Sequence, residues 1–201
     1  MIEHARARQH SPDRIEWRQA DVLALPFPDA SFDVVCCQFG VMFLPDRVTG
    51  YREARRVLRP GGRFVFNTWD RIEENAFARD VTDALSTLFP DDPPRFMART
   101  PHGYHDTSLV RRDLEKAGFD DVTIETVART SRAASARVPA LAFCHGTPLR
   151  GEIEARAAHG GAHGLDAATD RAEALVAERH GPGEVVGPMR AHVAVARAPP
   201  A

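Results

Sequence analysis

The sequence predicts an α/β layered domain whose mainly parallel sheet ends in an antiparallel hairpin. Three observations carry this. Residues 32–39 (Phe-Asp-Val-Val-Cys-Cys-Gln-Phe) and 63–69 are compact apolar runs without a helical face, the pattern of strands buried on both sides. Between them lies an amphipathic stretch with Val48, Tyr51, Ala54 and Leu58 on one side. Helical and strand-like segments then keep alternating, as in layered α/β domains.

At the start, Ile2 to Gln9 has helical spacing with no capping residue before Ile2, so it reads as the back half of a helix. Residues 14–20 alternate around Ile15 and Trp17 like a short strand, and 21–31, with Pro26, Pro28 and Asp29, form a loop. After the 32–39 strand, Asp46 caps the first amphipathic helix and Pro60-Gly61-Gly62 ends it in a tight turn before the 63–69 strand. Asp70 with Glu73 makes a capping pair for a helix through Phe77, Val81, Leu85 and Phe89, stopped by Pro90 and Pro93-Pro94. Residues 95–105 are irregular. Asp106 caps a helix through Leu109, Val110 and Leu114 that closes at Gly118, and 122–127 alternates as a strand. Residues 132–164 are rich in Ala, Gly and Pro, with helical pieces at 139–144 and 148–158. An amphipathic helix follows at 166–180 and a last strand at 192–198. The stretch 132–180 therefore reads as a small helical insertion before the last strand of one domain spanning 1–201.

With 43% hydrophobic and 27% charged residues, 201 residues suffice for one core. A net charge of -2 provides no field to hold nucleic acid or an anionic bilayer. Cys36, Cys37 and Cys144 are too few and too badly spaced for a disulfide framework or a zinc site, and read as small buried thiols in a reducing compartment. No run approaches the roughly 18 apolar residues of a membrane span, and Met1 to Ser11 lacks the apolar core of a signal peptide. The expectation is a cytoplasmic protein.

The loop from Gln19 to Asp33 leaves one strand and enters the next, where open α/β sheets place their ligands. There the Asp21 carboxylate can accept from an exocyclic amine, the Val22 N–H can donate to a ring nitrogen, and Leu23 can cover a flat apolar face. Together these would read adenine. The alternative for Asp21 is a solvated carboxylate that caps its own turn. His102, His105 and Asp106 form a second group, either a loop offering a base to a substrate near neutral pH or turn and cap chemistry. His159 and His163 have the spacing of a metal pair, but the surrounding glycines leave no helix to fix it, so no metal is assigned. Gly181-Pro182-Gly183 with Gly187 follows a helix, not a strand, and is a helix stop.

Ala20-Asp21-Val22, followed by Leu25-Pro26-Phe27-Pro28-Asp29 and Ser31-Phe32-Asp33, resembles the signature of the type 11 class I S-adenosylmethionine-dependent methyltransferases, which include quinone-pathway C-methyltransferases. Val22 stands where alanine is usual. The resemblance continues through Glu53-Ala54-Arg55-Arg56-Val57-Leu58-Arg59-Pro60-Gly61-Gly62-Arg63 and, more loosely, through 114–122, covering about half the chain. It implies a Rossmann-like methyltransferase sheet, S-adenosyl-L-methionine as cofactor, and methyl transfer to a small organic acceptor. Asp21, Val22 and Leu23 would take the adenine, while Gln38, Phe39 and Phe43 would lie near the methionine moiety and its sulfonium. For these last three the alternative is strand-end and helix packing. Displacement at a sulfonium asks mostly for alignment and a water-poor pocket, so no catalytic residue is assigned.

The same resemblance implies a sheet order of 3-2-1-4-5-7-6, in which the first strand ends in a glycine-rich loop and the second in an acidic residue. Neither strand is in this sequence, so the expected fold is N-terminally truncated, with the first two strands absent. The third and fourth strands, normally about 14 Å apart across that gap, must then close up or be bridged. The chain alone is expected to hold the cofactor weakly or not at all, and 132–180 to close over the acceptor. The alternative is a catalytically silent module that forms homo-oligomers through unpaired sheet edges. A nicotinamide-dependent oxidoreductase is more remote, since its glycine fingerprint is lacking too.

Overall fold

The computed structural model describes residues 1–9, 14–158 and 163–200. Strands β1 (Phe32–Gln38), β2 (Leu58–Trp69), β3 (Asp121–Ala133) and β4 (Val185–Arg197) form one sheet in the order β1-β2-β4-β3. β1 runs parallel to β2, with Cys36 beside Val65 and Gln38 beside Asn67. β2 with β4 and β3 with β4 are antiparallel. Among the described residues the sheet is thus mainly antiparallel, not mainly parallel as the sequence suggested, because the terminal hairpin is much longer than its apolar alternation showed. Residues 14–20 are no strand. A strand needs a ladder partner, and this segment bonds to α1 (Ile2–Ala7) and its end instead: Arg6 donates to the Trp17 carbonyl and the Trp17 indole N–H to Gln9.

β1 is not sealed on both faces either. It lies at the sheet edge, where Val34 keeps 45% of its surface exposed and Cys36 is exposed, whereas Phe64 and Phe66 of β2 are buried. The expectation of three buried thiols therefore fails at Cys36 and holds at Cys144.

Helix α2 (Arg47–Val57) starts as read, with Asp46 accepting the Thr49 N–H at 3.0 Å. No turn ends it. β2 begins at once at Leu58, and Pro60-Gly61-Gly62 forms a bulge within the strand, so that the register jumps from Phe32 beside Leu58 to Val34 beside Arg63. Gly61, at φ 75°, supplies the left-handed residue and donates to the Ala198 carbonyl. Helix α3 (Ala76–Leu88) starts later than the Asp70 cap implied: Asp70 binds the Arg71 N–H, and a 3-10 turn at Ile72–Glu74 intervenes. A short helix α4 (Phe96–Arg99) occupies part of the stretch expected to be irregular. Asp106 caps α5 (Thr107–Lys116) as read.

Between β3 and β4 the chain inserts α6 (Arg137–Gly146), α7 (Leu149–Ala158) and α8 (Leu165–His180). Two apolar clusters result. One packs Tyr51 of α2 and Leu114 of α5 on Phe64 and Phe66 of the sheet. The other joins Val81 and Leu85 of α3 to Ala140, Ile153 and Val176 of the inserted helices. Each side chain so buried stabilises the fold by roughly 1.5–3 kcal/mol if it is as large as Val or Leu. No helix among the described residues is long and apolar enough to cross a membrane.

Candidate functional site

At the carboxyl end of β1 the backbone turns sharply. Phe39 adopts φ 48°, a left-handed conformation unusual for a bulky side chain. It is held there by its N–H, which donates to Asn67 Oδ1 at 2.9 Å, and by its ring, which stacks on Trp69 at 4.1 Å between centroids. The 3-10 turn Val41–Phe43 then presents Phe43, whose ring lies 6.4 Å from that of Phe96.

These rings open a cavity of about 590 Å³ beyond the ends of β1 and β2. Phe39 and Trp69 line it from the strand ends, together with Phe43, Phe77 of α3, and Phe96 and Met97 of α4. Phe143 of α6 contributes from the insertion. Helix α7 fastens the wall: Glu152 accepts the N–H groups of Arg95 and Phe96 at 2.8 and 3.1 Å and pairs with Arg99, while Arg156 grips Asp92. Burial disfavours the Glu152 anion, but these donors outweigh it and hold its pKa below the ordinary carboxylate value.

His102 lines the same cavity and is 4% exposed. Its Nδ1 lies 2.7 Å from the Asp70 carbonyl oxygen. Burial pushes its pKa below the usual histidine value, against the opposing pull of that hydrogen bond. The turn that places it is tight, since a Cβ on Gly103 would fall 2.0 Å from the Arg99 carbonyl oxygen. His105 is exposed, bonds through Nδ1 to the His102 carbonyl, and takes no part in the cavity wall.

Asp21 stands on an exposed turn and does not line the cavity. Its Oδ1 accepts the Leu23 N–H at 2.9 Å, so it caps its own turn, one of the two roles read from the sequence. The Val22 N–H has no partner among the described residues. Both neighbouring side chains pack on Gly50 of α2, where an added Cβ would meet Leu44 at 2.8 Å, Leu23 at 3.6 Å and Val22 at 3.9 Å. The turn at 21–23 thus shares a packing point with the residue after Phe43.

The two segments that carry the sequence signature bind each other. Arg56 donates to the Leu25 and Phe27 carbonyls and pairs with Asp29, and Glu53 accepts the Leu25 N–H. Phe39, Phe43 and His102 meet at one cavity, while Asp21, Val22 and Leu23 lie on a turn outside its wall. Gln38 stays an exposed strand end beside Asn67. His159 lies outside the described residues, so its pairing with His163 is not described. The sequence reading missed Trp69, Phe96, Met97 and Phe143. Trp69 was findable as an aromatic closing a buried strand, whereas Phe143 lies far along the chain in an insertion without a motif.

The family described as "Methyltransferase domain" matches residues 1–66. The UbiE ubiquinone/menaquinone biosynthesis C-methyltransferase of Hahella chejuensis is 31% identical over 116 residues, covering 53% of this chain and 47% of that protein. Its Escherichia coli counterpart is 30% identical over 117 residues, covering 54% and 47%. The chain thus spans about half the length of the curated relatives it matches. Among solved structures, the YcgJ protein of Bacillus subtilis superposes with a TM-score of 0.54 at 16% identity, covering 100% of this chain and 79% of that one. A chain from the complex with the Haloferax volcanii Trm112 methyltransferase activator gives 0.55 at 18%, covering 99% and 68%. The Rossmann-like α/β architecture is shared with these structures.

Proposed function

We propose that this chain, a relative of the class I S-adenosylmethionine-dependent methyltransferases by sequence and by fold, is part of an enzyme that passes a methyl group from S-adenosylmethionine to a small organic acceptor. The observation that supports this most is the aromatic cavity at the carboxyl end of the β1 and β2 pair.

The residues suit the two ends of that cofactor. Asp21 and the unpartnered Val22 N–H match the exocyclic amine and ring nitrogen of adenine, with Leu23 beside its face. Phe39 and Phe43 offer aromatic faces to a cation, a contact that contributes about 0.5–2 kcal/mol. When bound, the cofactor supplies a methyl group on a sulfonium, a reactive carbon with a neutral leaving group. The chain contributes alignment and dryness. Phe39 and Trp69 fix one wall, Phe43 stands at the mouth with 52% of its surface exposed, and Phe96 is held by Glu152. Residues 132–180 act as the cover over the acceptor, since α6 brings Phe143 to the cavity and α7 carries Glu152.

Equilibrium dialysis with radiolabelled S-adenosylmethionine tests the reading. Saturable uptake displaced by S-adenosylhomocysteine, and weakened by Asp21→Ala, is the expected result. Uptake that S-adenosylhomocysteine does not displace would contradict it.

A further inference from the structure

We infer that His102 is the proton acceptor of the reaction, and that the methyl acceptor is an uncharged, largely apolar molecule carrying a phenol-like hydroxyl, which becomes an ether. This rests on the methyl-transfer reading and adds to it the acceptor's chemistry and the residue that activates it.

The tautomer comes first. A carbonyl oxygen only accepts, so the 2.7 Å contact between His102 Nδ1 and the Asp70 carbonyl puts the ring proton on Nδ1. Nε2 of the neutral ring then carries a lone pair. It has no partner among the described residues, yet it is not one of the sealed, unpartnered side-chain atoms there, which are Arg47 Nε and His192 Nε2. A buried ring that lines the cavity thus keeps one open edge, and that edge is basic.

Three further polar side chains of the wall are committed elsewhere. Asn75 donates to the Asp70 and Arg71 carbonyls and accepts the Arg190 N–H. Thr147 donates to the Phe143 carbonyl and accepts the Leu149 N–H. Arg132 is exposed and pairs with Glu184. Among the described residues this leaves the His102 lone pair, the Ser131 hydroxyl and the Trp69 indole N–H to meet a ligand among aromatic walls.

That inventory selects the acceptor. A carboxylate would need a cation inside, and an ammonium would need an anion. Among the described residues no acidic side chain lines the cavity, and the one guanidinium there is engaged at the surface. A hydroxyl on a flat apolar body matches both the aromatic walls and a single acceptor atom. During transfer the hydroxyl oxygen forms the new O–C bond as its O–H proton passes to His102 Nε2. The pair that bound the methyl group stays on sulfur. Positive charge thus moves from the sulfonium to the imidazolium, which later releases its proton to water. Burial keeps the resting ring unprotonated at neutral pH, ready for that step.

The test uses the full chain with 4-methylphenol as probe and 4-methylanisole, which lacks the O–H, as its control. Nitrogen-15 NMR of the free protein should show His102 with a protonated Nδ1 and a bare Nε2, and adding 4-methylphenol should shift Nε2 saturably. The wild type should bind 4-methylphenol about fivefold to tenfold more tightly than 4-methylanisole, and His102→Phe should abolish the preference. A protonated Nε2 in the free protein, or equal binding of the two probes by the wild type, would overturn the assignment without touching the methyl-donor reading. A hydroxyl preference in a protein that takes up no S-adenosylmethionine would overturn the transfer step while leaving the hydroxyl site in place.

Discussion

The ring of Phe39 lies nearly parallel to that of Trp69, with centroids 4.1 Å apart and planes at 17°, and so joins the ends of β1 and β2 where the cavity begins. The contact is kept although Phe39 occupies a left-handed backbone conformation, at φ 48°. Replacement by alanine removes the stack and retains the strain, whereas glycine removes both. Phe39→Ala should destabilise the protein by about 2 kcal/mol. Phe39→Gly should be milder by about 1 kcal/mol. Urea unfolding followed by tryptophan fluorescence measures the two values.

Asp80 of α3 is fully buried, and its Oδ2 lies 2.6 Å from His180 Nε2 at the end of α8, with Arg179 and Arg79 on its other oxygen. Burial disfavours its anion, but these donors prevail and hold its pKa below the ordinary value. The contact pins the insertion to α3. Asp80→Ala should cost about 3 kcal/mol, since it leaves charged partners in a half-buried site. The stability Asp80 contributes is present above the unfolded carboxyl pKa, near 4, and is lost as pH falls through the lower folded value. The stabilities of the wild type and Asp80→Asn should therefore differ most above about pH 4 and converge as the pH falls below it.

Glu152 links α7 to the amide groups of Arg95 and Phe96. Glu152→Ala should leave both amides unpaired and cost about 1–2 kcal/mol. Amide hydrogen exchange at Phe96 and Met97 should rise while that of β2 stays unchanged. Equal acceleration throughout the sheet would show that the contact does not act locally.

His102 predicts the pH dependence near neutrality. Burial lowers its folded pKa, opposed by the hydrogen bond to the Asp70 carbonyl and the charges of Glu73 and Asp70, and assisted by His105. Below the unfolded value of 6.5 the unfolded chain takes up a proton that the folded ring refuses. Stability must therefore fall as pH drops from about 6.5 toward the folded value. Unfolding free energies at pH 7.5, 6.5 and 5.5 should show a shallower slope in His102→Phe than in the wild type.

Much of this was legible in local chemistry. Asp46 and Asp106 cap their helices because a short acidic side chain before an amphipathic run has one favourable use. The apolar runs at 32–39 and 63–69 marked β1 and β2 for the same local reason. Long-range pairing was not legible. The alternation around Ile15 and Trp17 looks like a strand until the absence of a ladder partner among the described residues decides otherwise, and β4 extends back to Val185 because β3 lies beside it. At the site, Phe39, Phe43 and His102 were found from signature and residue chemistry. Phe143 reaches the cavity, and Glu152 the backbone of its Phe96 wall, only through packing of the insertion, which no motif encodes.

The central claim is that one ligand joins the Asp21 turn to the Phe39 and Phe43 wall. Amide NMR of the nitrogen-15 labelled chain, titrated with S-adenosylhomocysteine, tests it most directly and reads weak binding as well as strong. The account predicts saturable shifts at Val22 and Leu23 together with Phe39 and Phe43, all following one dissociation constant. Shifts confined to other surfaces, or none at these four amides, would contradict it.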